Sequence, residues 1–399
     1  MSIVSSETSH SHYECGGSCC DRELLAVPLT FPVAVGLTAP NRIMKASMSE
    51  QLCKFDKKEP ANSGIPSKLL VDLYKKFAEG RSGILVTGSI MVDPCAYEAP
   101  GNVVINKSVE STERRNAFRE WTKVGKSCEG LMIAQIMHPG VRASKYATDV
   151  VFNPSKVDKD ELEDLFDKFI LAGLYAEIYG FDGVEIPCVW DFTLGYLLNA
   201  DLNKRTDEYG GAFENRTRCL LKIIDRIRKL QGLYFICVLS IADLSIAKDA
   251  ANLASQFNKD DFAVFVRKLE DHGIDYISFS GGSVELLLDS SGDIRGSLDA
   301  IDATYLEVAN TLKKLTRKAK VFLNCGSTLC NMSEVLRRNL ADGVVIGRQL
   351  ATDPSEQSNP AGDPGRTRTC NLRLRRATPY PLGHRAGRSY LEILLLTSS

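Results

Sequence analysis

Two apolar runs in this sequence end in groups suited to holding a phosphate. Asn324-Cys325-Gly326-Ser327 closes one and Gly347-Arg348 the other, so backbone N–H groups and one guanidinium can converge on an anion. Three further run ends carry small, hydroxyl and amide residues: Asn41–Glu50 (NRIMKASMSE), Thr87-Gly88-Ser89, and Gln135 ahead of His138-Pro139-Gly140. A planar ligand needs small residues where it lies against backbone and amide or hydroxyl groups at its polar edge, and Gly88, Gln135 and Ser49 have those properties. Each also has a structural reading taken singly. Gln135 could satisfy a buried backbone group, Ser49 could cap a turn, and the two glycine-bearing run ends could be ordinary strand-end turns.

Positioning such groups together requires a scaffold that ends many strands at one face. From Asn41 to Arg348 short β-branched runs alternate with amphipathic helical stretches, the pattern of repeated strand–helix units on a parallel sheet. The predicted strands are Arg42–Met48, Gly83–Val92, Leu131–Met137, Gly183–Cys188, Phe235–Ile241, Tyr276–Ser280, Val321–Cys325 and Gly343–Ile346. Runs such as Ile84-Leu85-Val86 and Val344-Val345-Ile346 lack polar alternation, as strands covered on both faces do. Between them, Leu162, Leu165, Phe166 and Phe169 fall at i, i+3, i+4 and i+7, as do Leu220, Ile223, Ile224 and Ile227. A doubly wound open sheet shares this periodicity, but eight units and no Gly-x-Gly-x-x-Gly turn after the first strand favour an α/β protein of the (β/α)8 TIM-barrel type. In such a barrel, ligands sit at the C-terminal mouth and phosphates at the loops after strands 7 and 8.

The segments PNRIMKASMSE, EGRSGILVTGSIMVD, AQIMHPG, GFDGVEI, NKRTDEYGGAFENR, SFSGG and DGVVIGRQLATDP together resemble the old yellow enzyme family of FMN-dependent NAD(P)H oxidoreductases over about residues 25 to 355. The resemblance implies FMN at the barrel mouth, with Ala46, Ser47, Met48 and Ser49 beneath or beside the flavin. It places Gly88 and Gln135 at the ring edge, and Gly326, Ser327, Gly347 and Arg348 at the phosphate. It also implies NADH or NADPH as reductant and an unsaturated carbonyl or similar small molecule as hydride acceptor. The block Asn203–Arg216 has its own reading: Arg205, Asp207, Glu214 and Arg216 offer complementary charges around the tight turn at Gly210-Gly211, closing the long loop after strand 4.

The sequence departs from the family where the acceptor is held. The family has a histidine after strand 4, followed three residues on by His or Asn, to stabilise charge on the substrate oxygen; ungapped alignment puts Pro187 and Trp190 there. Proline donates nothing and the indole is one bulky donor. Phe192 stands where much of the family has its proton-donating tyrosine, although aligning GYLL at Gly195–Leu198 nominates Tyr196 instead. Trp190 and Tyr196 are therefore the candidate catalytic residues. On strand 5 the family faces the flavin's N1/O2 edge with Arg or Lys, and this chain has Val238, which leaves a reduced anionic ring uncompensated. The stretch from Arg142 to Phe152 is short for the family's covering loop. The resulting expectation is an FMN-binding oxidoreductase with impaired or altered activity; the alternative is a catalytically inactive barrel binding FMN weakly or not at all.

Composition narrows the partners. The 49 basic and 50 acidic residues and 25% charged residues give no footprint for nucleic acid or membrane, so small-molecule partners are expected. Twelve scattered cysteines, no basic-then-apolar leader and no run of membrane-spanning length read as a reduced, cytoplasmic protein. Residues 1–22 read as a disordered tail whose His10, His12, Cys15, Cys19 and Cys20 match no regular zinc spacing, so no metal is expected. The barrel is expected over 23–356. Residues 357–399 hold seven arginines against Asp363 and Glu392. This basic tail starts where the eighth helix belongs, reads as foreign to the domain, and leaves that helix missing or replaced.

Overall fold

The computed structural model describes residues 22–189, 192–230, 235–242, 259–279, 310–324, 329–347 and 350. Both tails of the sequence reading and the place of an eighth helix lie outside them. Eight parallel strands close on themselves: β1 (Ile43–Lys45), β2 (Ile84–Val86), β3 (Leu131–Met137), β4 (Gly183–Val189), β5 (Ile236–Ala242), β6 (Tyr276–Phe279), β7 (Lys320–Leu323) and β8 (Gly343–Ile346). Each pairs with the next in sequence, and β8 returns to β1 through Val344↔Ile43 and Val345↔Met44. This is the expected barrel.

Strand periodicity of two sorts the side chains. One set, including Met44, Val86, Ile133, Val238, Tyr276, Phe322 and Val345, fills the interior; the other, including Leu85, Ala134, Val184, Leu239, Ile277 and Val344, packs under the helices. The antiparallel pair Leu29–Thr30 with Thr38–Ala39 adds Leu29, Phe31, Ala34 and Ala39 to the interior cluster. It lies at the N-terminal end of the barrel, because Asp275, just before β6, accepts from Val33 N at 2.9 Å and Ala34 N at 2.8 Å. One end is thus plugged, and the C-terminal end is left to ligands.

Three predicted strands are shorter than expected, Val321–Cys325 among them, which ends at Leu323. Arg42–Met48 contracts to β1, because beyond Ala46 the chain turns its hydroxyls to Gln135 on β3 and to Glu98. Gly83–Val92 splits into β2 and a separate pairing of Ile90–Met91 with Val103–Val104 and β3, interrupted at Gly88, whose N–H turns to the Glu50 carboxylate at 3.1 Å. The helix Lys159–Tyr179 starts with a capping box of Asp158 and Glu161 and ends on Gly180 at φ 96°, a left-handed position that glycine takes without strain. Its stripe of Leu162, Leu165, Phe166 and Phe169 is buried, as is Leu220, Ile223, Ile224 and Ile227 of the helix Phe213–Leu230. Burying each such side chain is worth about 1.5–3 kcal/mol, which fixes these helices to the barrel wall.

Candidate active site

The C-terminal ends of β1, β2 and β3 bring together three groups that are far apart in sequence. Ser47 Oγ donates to Gln135 Oε1 at 2.7 Å, Ser89 Oγ donates to the same oxygen at 3.1 Å, and Gln135 Nε2 donates to Glu185 Oε1 on β4 at 2.7 Å. Gln135 and Glu185 both point inward because they sit on the interior phase of adjacent strands, in register with each other. Glu185 is 3% exposed. Burial pushes its carboxyl up to about 7, against the opposing effects of the Gln135 hydrogen bond and the Lys45 charge.

A second network holds the same loops from outside the barrel wall. Lys45, fully buried, donates to Ala46 O at 2.9 Å and Val86 O at 2.8 Å, and its ammonium lies 3.8 Å from Glu50 and over the Phe77 ring. Burial lowers its pKa to about 8, with Glu50 and Glu185 pulling it back up. Glu50 accepts from the Tyr74 hydroxyl at 2.6 Å and from Gly88 N. Gly88 is therefore small for a reason the sequence reading missed: a Cβ there would lie 2.0 Å from a Glu50 carboxylate oxygen and 2.5 Å from the Met48 carbonyl. Ser49 is drawn aside, donating to Glu98 Oε2 at 2.6 Å, and burial raises the Glu98 pKa.

The end of β8 meets the end of β1. Ala46 N donates to Ile346 O at 2.7 Å, and a Cβ on Gly347 would come within 3.3 Å of Ala46 Cβ and 3.9 Å of Met48 Sδ, so glycine keeps these two loops close. The other expected phosphate residues, Gly326, Ser327 and Arg348, lie outside the described residues, as does Trp190.

After β4 the surroundings become apolar. Pro187 is buried, and Val189 and Phe192 pack with Met91, Tyr97, Val104 and Met137. Tyr196 is half-buried on the short helix Thr193–Leu198. That helix is fastened by the Asn203–Arg216 block. Asn203 Nδ2 donates to Leu197 O and Tyr209 O, both at 2.7 Å, Arg216 Nε donates to Leu198 O at 2.9 Å, and Arg205 pairs with Asp207 while reaching Pro154 O and Val157 O. Glu214 turns elsewhere, to Lys268 at 3.4 Å. Gly210 packs where a Cβ would lie 2.1 Å from the Arg205 carbonyl oxygen.

The two barrel histidines are committed to other partners. His138, 2% exposed, has Nδ1 2.7 Å from Thr193 Oγ1 and accepts there from Gly140 N at 3.2 Å; burial lowers its pKa to about 4, so the ring is neutral. His272 sits on the barrel exterior with Nδ1 2.6 Å from Asp225. Val238, the β5 position that the family fills with a cation, is fully buried and in register with Glu185.

Residues 28–357 match the NADH:flavin oxidoreductase / NADH oxidase family. The chain belongs to this family. Its relatives include the NADH-dependent flavin oxidoreductase nadA of Aspergillus parasiticus, 28% identical over 85% of this chain and 78% of the relative. Another is an NADPH dehydrogenase of Halalkalibacterium halodurans, 23% identical over 81% of this chain and 90% of the relative. Among solved structures, the old yellow enzyme homologue from Zymomonas mobilis superposes with a TM-score of 0.62 at 20% identity, covering 83% of this chain and 90% of that one. Morphinone reductase does so at 0.62 and 16%, covering 84% and 89%. These likenesses show the fold; the family match makes the chain an oxidoreductase of the old yellow enzyme type that uses FMN with NAD(P)H.

The donor set at the ends of β1, β2 and β3 suits the polar edge of a flavin, and the glycine contact at the end of β8 suits a close-lying cofactor chain. Against a flavin the mismatch among the described residues is on β5, where Val238 lies beside Glu185 at the position the resemblance would fill with a cation. The sequence reading passed over Glu185, Lys45, Glu50 and Glu98. A signal existed for two of them: Lys45 and Glu185 are single charges inside otherwise apolar strand runs, and such charges are retained in a buried strand only with partners.

Proposed function

We propose that this chain binds FMN at the barrel mouth and is reduced by NADH or NADPH, but that transfer to unsaturated carbonyl acceptors is weak or redirected to a different acceptor. When bound, FMN supplies a carrier that takes hydride from the nicotinamide and gives it up again. Ala46, Ser47, Met48 and Ser49 would lie beneath or beside it. Gln135 would bond its ring edge, the backbone at Gly88 would border it, and Gly347 with Gly326, Ser327 and Arg348 would receive the phosphate. Trp190 and Tyr196 are the polar groups left to orient an acceptor.

The observation that carries this reading is the contrast at the mouth: Ser47, Ser89 and Gln135 form a complete polar cluster, while Pro187, Val189 and Phe192 offer an acceptor oxygen no donor. Purified protein is expected to show visible flavin absorbance, to bleach under anaerobic NADH or NADPH, and to reoxidise slowly with cyclohexenone. A colourless protein that also fails to take up added FMN overturns the flavin reading. Robust cyclohexenone reduction overturns the claim of weak transfer.

A second reading, an inactive barrel with little FMN affinity, is favoured by Val238 standing against a buried carboxyl. The same absorbance measurement separates the two. We further propose a single barrel unit over 23–356 acting on small molecules in the cytosol. In support, Cys53, Cys95, Cys128, Cys188, Cys219 and Cys237 are all free thiols. No helix among the described residues is long and apolar enough to cross a membrane.

A further inference from the structure

Glu185 is the one carboxyl that β3, β4 and β5 turn together into the upper barrel interior. Its β3 neighbour is Gln135, which donates to it at 2.7 Å, and its β5 neighbour is Val238, which offers no charge. From β6 the buried phenol of Tyr276 faces the same interior, donating to Met44 Sδ at 3.5 Å. Among the described residues, the cation whose charge reaches it is Lys45 on β1, engaged outside the wall with Ala46 O, Val86 O and Glu50. A buried carboxylate with one hydrogen bond and no paired cation is costly, and taking up a proton relieves that cost. The protonated group carries an O–H donor, whereas the ionised group only accepts.

A flavin's pyrimidine edge bears carbonyl oxygens that accept hydrogen bonds. We propose that Glu185 is a positioning residue of the flavin site, a carboxyl that gains and loses a proton where a fixed cation would otherwise stand, so that pH sets the barrel's affinity for its flavin. Below its titration Glu185 adds a donor to the cluster of Ser47, Ser89 and Gln135. Above it, the carboxylate holds the Gln135 amide as its hydrogen-bond partner among the described residues and repels an acceptor edge. The burial of Glu185 supports a titration near neutrality, at about 7. This inference rests on the flavin reading above.

The test measures riboflavin and FMN affinity by fluorescence quenching between pH 5.5 and 8.5; riboflavin lacks the phosphate whose own titration would overlap. In the wild-type protein riboflavin binding is expected to weaken about tenfold across this range, the size of one lost hydrogen bond. Glu185→Gln, which keeps a permanent N–H donor, is expected to bind with no such slope. Val238→Lys, placing a cation in register with Glu185, is expected to flatten the slope by holding the carboxylate ionised and supplying the positive charge itself. On cofactor-free protein at pH 5.5, the infrared absorption of protonated buried carboxyls is expected to be weaker in Glu185→Gln than in wild type by one carboxyl's share, because Glu98 is a second buried carboxyl with a raised pKa. An unchanged pH slope in Glu185→Gln, or carboxyl absorption undiminished by the substitution, overturns this role of Glu185 alone. Failure of all three proteins to bind either flavin at every pH overturns the flavin reading and this role with it.

Discussion

The mouth of this barrel has two unlike halves. At the ends of β1, β2 and β3 every polar side chain that the family resemblance nominated has a partner: Ser47 and Ser89 with Gln135, Gln135 with Glu185, and Ser49 with Glu98. At β4, just after it and at β5 the corresponding positions are Pro187, Phe192 and Val238, all buried and none with a side-chain donor. The strands on both sides pair into the same closed barrel, so the difference is one of side chains on a shared frame. A barrel tolerates this because strand pairing and helix packing stabilise the fold, while mouth residues contribute mainly to chemistry.

The sharpest way to break the contrast is to rebuild the poor half. Pro187→His with Trp190→His returns two donors after β4 and is expected to raise kcat/KM for cyclohexenone about 100-fold, the scale of one restored oxyanion donor. No gain would mean that the shape of the site has changed along with its donors. The converse is to damage the intact half. Gln135→Leu removes the partner of two hydroxyls and of Glu185, and is expected to weaken FMN binding about tenfold and to lower unfolding stability by about 1–3 kcal/mol in urea titrations.

His138 offers a pH probe beside the apolar half. Its folded pKa of about 4 lies below the unfolded value near 6.5, so the unfolded chain takes up the proton first. The contribution to stability is complete above about pH 6.5 and is lost as pH falls toward 4, with a slope of up to about 1.4 kcal/mol per pH unit. Urea midpoints of wild type and His138→Gln should diverge in that window and run parallel above it. The smallest effect is expected from Phe192→Tyr. Its hydroxyl would enter the cluster of Met91, Val104, Met137 and Val189, so turnover should change less than about twofold while stability falls by about 1 kcal/mol. A large gain in turnover would show that position 192 reaches the acceptor after all.

Much of the architecture was legible because it is written in periodicity. Leu131–Met137 and Gly343–Ile346 form strands at the predicted bounds, and both helical stripes are buried, since apolar spacing reports which face meets the wall. Strand ends were less legible. Nothing local in Thr87-Gly88-Ser89 says that Glu50 occupies the space beside Gly88, and that contact ends β2 early. Pro187 at the position where the resemblance implies a histidine was readable from identity alone, whereas the partners of His138 and His272 came only from the structure. The chemistry that remains at the mouth was not readable, because Lys45 and Glu185 look like isolated charges in apolar runs.

By itself, the sequence determined the barrel and its family, and residue identity alone sets Pro187 and Val238 where the resemblance implies a donor and a cation. These are properties of residue identity and spacing. Only the tertiary structure decided what lies beside Val238. Strand register sets Glu185 between Gln135 and Val238, 50 or more residues away in sequence, and a buried carboxyl takes its protonation state from the neighbours that closure of the barrel puts beside it.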